Sequence, residues 1–195
     1  MVDSARQYQV VSGWLSGARR VPSANFEPRP PGAEPELLVI HNISLPPGQF
    51  DGDCIEQFFT NELNWDAHPF FDEIRGVRVS AHLLIRREGE VVQFVSFEDR
   101  AWHAGVSSYC GRDNCNDFSI GIELEGTDQL PYTDDQYAVL QRVTAALLAA
   151  YPRLCAEHIV GHCDIAPGRK TDPGSAFDWQ RYRSGLSAFA EDMSA

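Results

Sequence analysis

The sequence predicts an α/β protein: a single domain with a central mixed β-sheet flanked by helices. Three observations carry that expectation. Short apolar runs of strand length recur along the chain, "LLVI" at 37–40 and "FSIGIELEG" at 118–126 among them. A longer run over about 134–151 has helical spacing instead. The 195 residues, 43% hydrophobic and 23% charged, suffice for one full core. Strands interleaved with amphipathic helices build layered α/β domains. We expect one domain over 1–195, with an N-terminal arm over about 1–36 and a catalytic core over about 37–190.

Each element has a local reason. Residues 22–36 hold five prolines and predict an extended arm leading into the first strand. "LLVIHN" (37–42) reads as a buried strand ending on polar residues, and "DCIEQFFTNEL" (53–63) as a short helix. "RVSAHLLIRREGEVVQFV" reads as two β-rich runs joined by a turn at Glu88-Gly89-Glu90. The stretch 118–126 alternates apolar with small or acidic residues, as a strand does. Thr133 and Gln136 form a capping box for the long helix. Tyr137, Leu140, Thr144, Leu147, Leu148 and Tyr151 follow its apolar spacing, and Pro152 stops it. "EHIVGH" (157–162) predicts another strand, and a helix over about 178–191 closes the chain.

Composition excludes several function classes. A formal net charge of -12 argues against nucleic-acid binding, which needs clustered cations on phosphates. The N-terminus has no basic start followed by an apolar run, so no secretory signal is expected. No stretch is long and apolar enough for a membrane span. Five scattered cysteines without a CxxC pair predict no disulfide framework and a reducing cytoplasm. A Cys110–Cys115 bridge is the one alternative that an oxidising compartment would permit. A cytoplasmic protein without nucleic-acid or membrane partners is therefore expected; a monomer is our working expectation, which composition does not decide.

The candidate chemistry centres on "GHCDIAPGRKTDPG" (161–174), which leaves the strand at 157–162. His41, Glu123 and His162 fall where strands should end, the usual place for sites in α/β proteins. Taken alone, a histidine there is more often packed than ligating. Asp172 lies ten residues after His162, across a loop stiffened by Pro167, Gly168, Pro173 and Gly174. Two histidines and a carboxylate, with a fourth position left to water, is a recurring catalytic zinc arrangement. Such a metal lowers the pKa of its water and polarises a carbonyl. Because such sets also arise by chance, spacing alone leaves a structural reading open.

Neighbouring residues sharpen the zinc reading. Of 16 basic residues only Lys170 is a lysine, two positions before Asp172. A compact ammonium suits a crowded site where an oxyanion develops. Either Glu123 or Glu125, which share a strand face, can serve as the proton shuttle. His103 in "AWHAG", with Trp102, either lines a cleft or packs structurally, and His82 reads as a core histidine. Cys163 and Asp164 adjoin His162, but adjacent strand-end residues face apart. His68 and His158 have no informative context.

Five segments then carry a resemblance. "VIHNISLPPG", "VSAHLLIRR", "RAWHAGVSSY", "NDFSIGIELEGTD" and "GHCDIAPGRKTDPG", followed by "FDW", closely resemble the AmpD-type zinc amidases. These are 1,6-anhydro-N-acetylmuramyl-L-alanine amidases of the peptidoglycan-recognition and phage-lysozyme-like amidase fold. The resemblance covers roughly residues 12–182. It implies Zn2+ held by His41, His162 and Asp172, with Glu123, the first of the two glutamates, and Lys170 as catalytic residues. It places Asn42, Arg78 and Trp102 near a bound muropeptide, and His103 is grouped with them as a cleft residue. Asn114 departs from the arginine of the family pattern.

The implied reaction is attack of water on the lactyl carbonyl joining N-acetylmuramic acid to L-alanine, in small 1,6-anhydro fragments recycled in the cytoplasm. Because net charge would repel an anionic peptide, a local cluster of Arg78, Arg112, Arg169 and Lys170 is expected at the cleft. Two rivals follow: an exported amidase acting on the intact wall, and a recognition module that binds without cutting. The first needs a signal peptide; the second would be marked by a lost ligand, and all are present.

Overall fold

The computed structural model describes residues 7–192. Its central sheet uses six strands: β1 (Arg19–Arg20), β2 (Leu37–Ile43), β3 (Leu83–Ile85), β4 (Val91–Gln93), β5 (Ser119–Glu125) and β6 (Ile159–Gly161). They lie in the order β6-β2-β5-β3-β4-β1. The first four strands in that order are mutually parallel; β4 runs antiparallel to β3, and β1 pairs parallel with β4. The sheet is therefore mixed, as the sequence predicts.

Alternation decides what each sheet face carries. On β2, Leu38 and Ile40 join Ile120, Ile122 and Leu124 of β5 in a core beneath two long helices. These are α2 (Asp134–Ala150) and α4 (Trp179–Asp192). Leu37 and Val39 point the other way, into a core with Ala104, Phe118 and Ile165. A third cluster packs α1 (Cys54–Phe59) and a 3-10 turn (Pro69–Ile74) beside Leu84 and Val92. Two-sided burial explains why β2 opens with unbroken apolar residues.

Helix α2 keeps both bonds of its capping box: the Gln136 amide donates to Thr133 Oγ1 and the Thr133 amide to Gln136 Oε1, each at 3.1 Å. The cap contributes about 1 kcal/mol, whereas each fully buried Val or Leu contributes roughly 1.5–3 kcal/mol. Val139, Leu140, Val143 and Leu147, all 0% exposed, therefore dominate its stability. Two expectations need correction. The proline-rich arm is not simply extended: residues 26–28 pair antiparallel with 99–101, and β1 extends the sheet. Arg29 explains the difference, because its half-buried guanidinium donates to the carbonyls of Phe97, Asn116, Asp117 and Ser119 and pins the arm down. The strand expected over 157–162 holds only Ile159–Gly161, and His162 opens a one-turn helix, α3 (His162–Ile165).

Candidate metal centre

The register of three parallel strands assembles the site. His41 on β2 lies opposite Glu123 on β5, and Gly161 on β6 lies opposite Ile40. His162 follows Gly161 and so arrives level with His41. Asp172 returns to this place because its carbonyl accepts the Cys163 amide at 3.0 Å, while Tyr132 Oη donates to the Pro173 carbonyl at 2.7 Å. Gly174 is required in this loop: φ is +79°, and a Cβ there would lie 2.1 Å from Asp128 Cα.

Three atoms converge. His41 Nδ1, His162 Nδ1 and Asp172 Oδ2 form a triangle with every side 3.0 Å. Among the described residues they are the one His/Cys/Asp/Glu group able to share a metal ion. Zinc bonds of about 2.0–2.2 Å in a tetrahedron set ligand atoms roughly 3.3–3.6 Å apart, so this triangle needs to open by only a few tenths of an ångström to form one face of such an ion. Proton placement agrees. His162 Nε2 lies 3.1 Å from the Ala104 carbonyl oxygen, so it carries the ring proton and leaves Nδ1 as a lone pair. That lone pair faces a carboxylate oxygen, an arrangement that a shared cation relieves.

Electrostatics points the same way. Burial lowers the His41 pKa to about 4, so the ring is neutral at pH 7, as a metal ligand must be. Burial alone would raise the Asp172 carboxyl. The imidazoles of His162 and His41, which face its Oδ2, outweigh it and hold Asp172 below the usual carboxylate range. Glu123 behaves oppositely. Burial first, and the Asp172 charge second, push its pKa well above the ordinary value. Its Oε2 is buried without a hydrogen-bond partner among the described residues. A polar atom left so is costly, and such atoms mark functional sites.

Glu125 is differently employed. Its Oε1 accepts from Arg86 Nη1 at 3.2 Å, and its Oε2 from the Arg87 amide at 3.1 Å. The structure thus separates two glutamates that alternation treats alike.

An open cleft of about 760 Å³ adjoins Asp172, lined by Asn42, Ser44, Phe70, Asp128, Arg169 and Lys170 among others. The volume suits a small-molecule ligand. Lys170 is exposed there, with no hydrogen bond or ion pair from its ammonium among the described residues. The expected four-cation cluster does not assemble. Arg112 pairs with Glu36 at 2.8 Å and stacks on Phe118, and Arg78 is exposed and does not line this cleft. Arg169 lines the cleft but donates to the carbonyls of Ala104 and Val106.

Of the residues expected near a muropeptide, Asn42 lines the cleft, while Trp102 and Arg78 do not. His103 also stays out of it. The ring is buried, with Nδ1 2.9 Å from His41 Nε2 and Nε2 3.1 Å from Ser119 Oγ, so both nitrogens are spoken for. His82 is fully buried, and its Nδ1 accepts the Gly121 amide. Asp164 accepts the Gly161 amide at 2.7 Å and caps α3 instead of joining the triangle. Cys110 and Cys115 are both free thiols, and Asn114 sits in the left-handed region at φ 57°. Sequence reasoning missed Asp128. Its carboxylate accepts from Asn42 Nδ2 at 2.8 Å and Thr171 Oγ1 at 2.5 Å, tying the ligand loop to the end of β2. Its neighbours Gly126 and Thr127 were the available signal, since a Gly-Thr-Asp run after a strand marks a turn at its carboxyl end.

Fold and site together define a mixed-sheet α/β domain with a two-histidine, one-carboxylate centre at the carboxyl ends of its parallel strands. Comparison with known proteins makes this particular. Residues 31–175 match the model of the N-acetylmuramoyl-L-alanine amidase family, Amidase_2, and the chain belongs to that family. The 1,6-anhydro-N-acetylmuramyl-L-alanine amidase AmpD of Escherichia coli K12 is 64% identical over 171 residues, 88% of this chain and 93% of that protein. A crystal structure of a selenomethionine AmpD derivative superposes with a TM-score of 0.89 at 59% identity, covering 91% of this chain and 98% of that one. The amidase AmiD of E. coli, solved with anhydro-N-acetylmuramic acid-L-Ala-D-γ-Glu-L-Lys, has a TM-score of 0.57 at 26% identity, covering 92% of this chain and 65% of that one.

Proposed function

We propose that this chain hydrolyses the amide between 1,6-anhydro-N-acetylmuramic acid and L-alanine, with zinc as cofactor. The observation that carries the reading is the buried Glu123 carboxylate oxygen, without a hydrogen-bond partner among the described residues and in the field of Asp172. High identity to AmpD amidases supports the substrate, and the AmiD complex supports a small muropeptide as ligand.

His41, His162 and Asp172 would hold the metal. Zinc supplies a Lewis acid there and makes water easier to deprotonate. Glu123 takes a proton from the attacking water. Its raised pKa suits it to return that proton to the departing alanine nitrogen. Lys170 meets the negative charge that develops on the lactyl oxygen. Asn42, steadied by Asp128, orients the substrate at the cleft floor.

The same reading places the enzyme in the cytoplasm, working on small turnover fragments. Rates on a purified anhydromuropeptide and on intact sacculi, compared at equal amide concentration, test it together with fractionation of the host. Faster cleavage of the soluble fragment is expected. Faster release from sacculi, or enzyme found mainly outside the cytoplasm, would favour an exported wall amidase.

A further inference from the structure

Behind His41 lies a buried relay that no part of the proposed reaction uses. His41 can lend its Nδ1 lone pair to a metal only when its ring proton sits on Nε2. That nitrogen is 2.9 Å from His103 Nδ1, which must then be an accepting lone pair. His103 therefore carries its own proton on Nε2 and donates it to Ser119 Oγ at 3.1 Å. Ser119 is fully buried, and its carbonyl accepts from Arg29 Nη2 at 2.9 Å, so the end of the relay is fixed. The neighbouring His82 does not compete: its Nδ1 accepts the Gly121 amide and its Nε2 faces the Asp99 carbonyl.

The sheet is built to admit the His103 ring. A Cβ at Gly121 would stand 2.4 Å from His103 Cγ, so glycine on β5 opens the space that the imidazole occupies. His41 and His103 meet edge to face, with ring centroids 5.0 Å apart. Hydrogen-bonded partners behind a ligating histidine usually set its tautomer and orientation.

We propose that His103 is a positioning residue for metal binding: its Nδ1 holds His41 in the one tautomer that leaves Nδ1 free for zinc, and Ser119 fixes His103 in turn. The proposal rests on the zinc reading above. It gives His103 a role distinct from the cleft role suggested by sequence.

Zinc affinity, measured on the full chain by competition with a chelating dye, tests it with two variants. His103→Leu fills the space but offers no acceptor, and should bind zinc about 10–100-fold more weakly. His103→Asn places an amide oxygen where Nδ1 stood, and should stay within about threefold of the native chain, well short of the loss typical when such a partner is removed. Equal affinity of His103→Leu and native protein, or equal losses in both variants, would overturn the proposal. A long-range nitrogen–proton correlation spectrum of the zinc-loaded native chain provides a check without substitution. It should show His103 protonated on Nε2; protonation on Nδ1 would overturn the relay. A native chain that binds no zinc would overturn the metal reading and this proposal together, whereas tight zinc in His103→Leu overturns this proposal alone.

Discussion

Glu123 and His41 stand opposite one another on neighbouring parallel strands, so the same sheet face presents a metal-ligand candidate and a carboxylate side by side. Two residues along β5, Glu125 shares that face but is held by Arg86 and Arg87. Position in the register is thus common to both glutamates, and what distinguishes them is whether a partner has claimed the carboxylate.

Glu123→Gln should keep bound zinc and lose about 10²–10⁴ in kcat, the range for removing a proton-transfer group. Glu125→Gln should turn over normally, because Arg86 and the Arg87 amide hold the native carboxylate in a structural role. Steady-state kinetics on both variants read this directly. A Glu125→Gln variant that is the less active of the two would reverse the assignment.

Glu123 also makes a prediction for the metal-free protein. Its folded pKa is raised, so below the unfolded value both states are protonated and burial of the charge costs nothing. As pH rises past the unfolded value, the unfolded state ionises first and stability falls. It levels off only above the folded pKa. Glu123→Gln should therefore raise the melting temperature of the metal-free chain at pH 7.5 and leave it nearly unchanged at pH 3.5. Equal melting temperatures at pH 7.5 would mean that Glu123 has found a partner.

Lys170→Ala should lower kcat by about 10²–10³, as loss of one oxyanion donor does. Zinc content should hardly change. A raised KM with kcat intact would show that the ammonium only holds the substrate.

Asp128→Ala cuts the tie between Asn42 and Thr171. The ligand loop should then open more often, which faster amide hydrogen exchange over 171–175 would report. Zinc affinity should drop with it. Unchanged exchange would leave Asp128 no part in holding Asp172.

Much of this was legible in the sequence, for physical reasons. The α2 start announced itself because Thr133 and Gln136 act locally, and the Glu88-Gly89-Glu90 turn because Gly89 takes φ +82°. The convergence of His41, His162 and Asp172 was legible through residue types and loop spacing, once the resemblance had supplied an order. What escaped depends on contacts between distant segments. Arg29 reaches carbonyls 68–90 positions away, and nothing in a proline-rich stretch signals that. The cation cluster failed for the same reason: Arg169 and Arg112 had structural partners that composition does not reveal. His103 was ambiguous because its partner, His41, lies 62 residues distant.

Mass spectrometry of the products from a purified 1,6-anhydro-N-acetylmuramyl peptide, with zinc-loaded and metal-stripped chain in parallel, is the most direct test. The zinc-loaded chain should release a peptide with a free L-alanine amino group and the intact anhydro sugar, and His41→Ala should release neither. Cleavage at any other bond, or equal turnover after the metal is stripped, would contradict the assignment of His41, His162, Asp172 and Glu123.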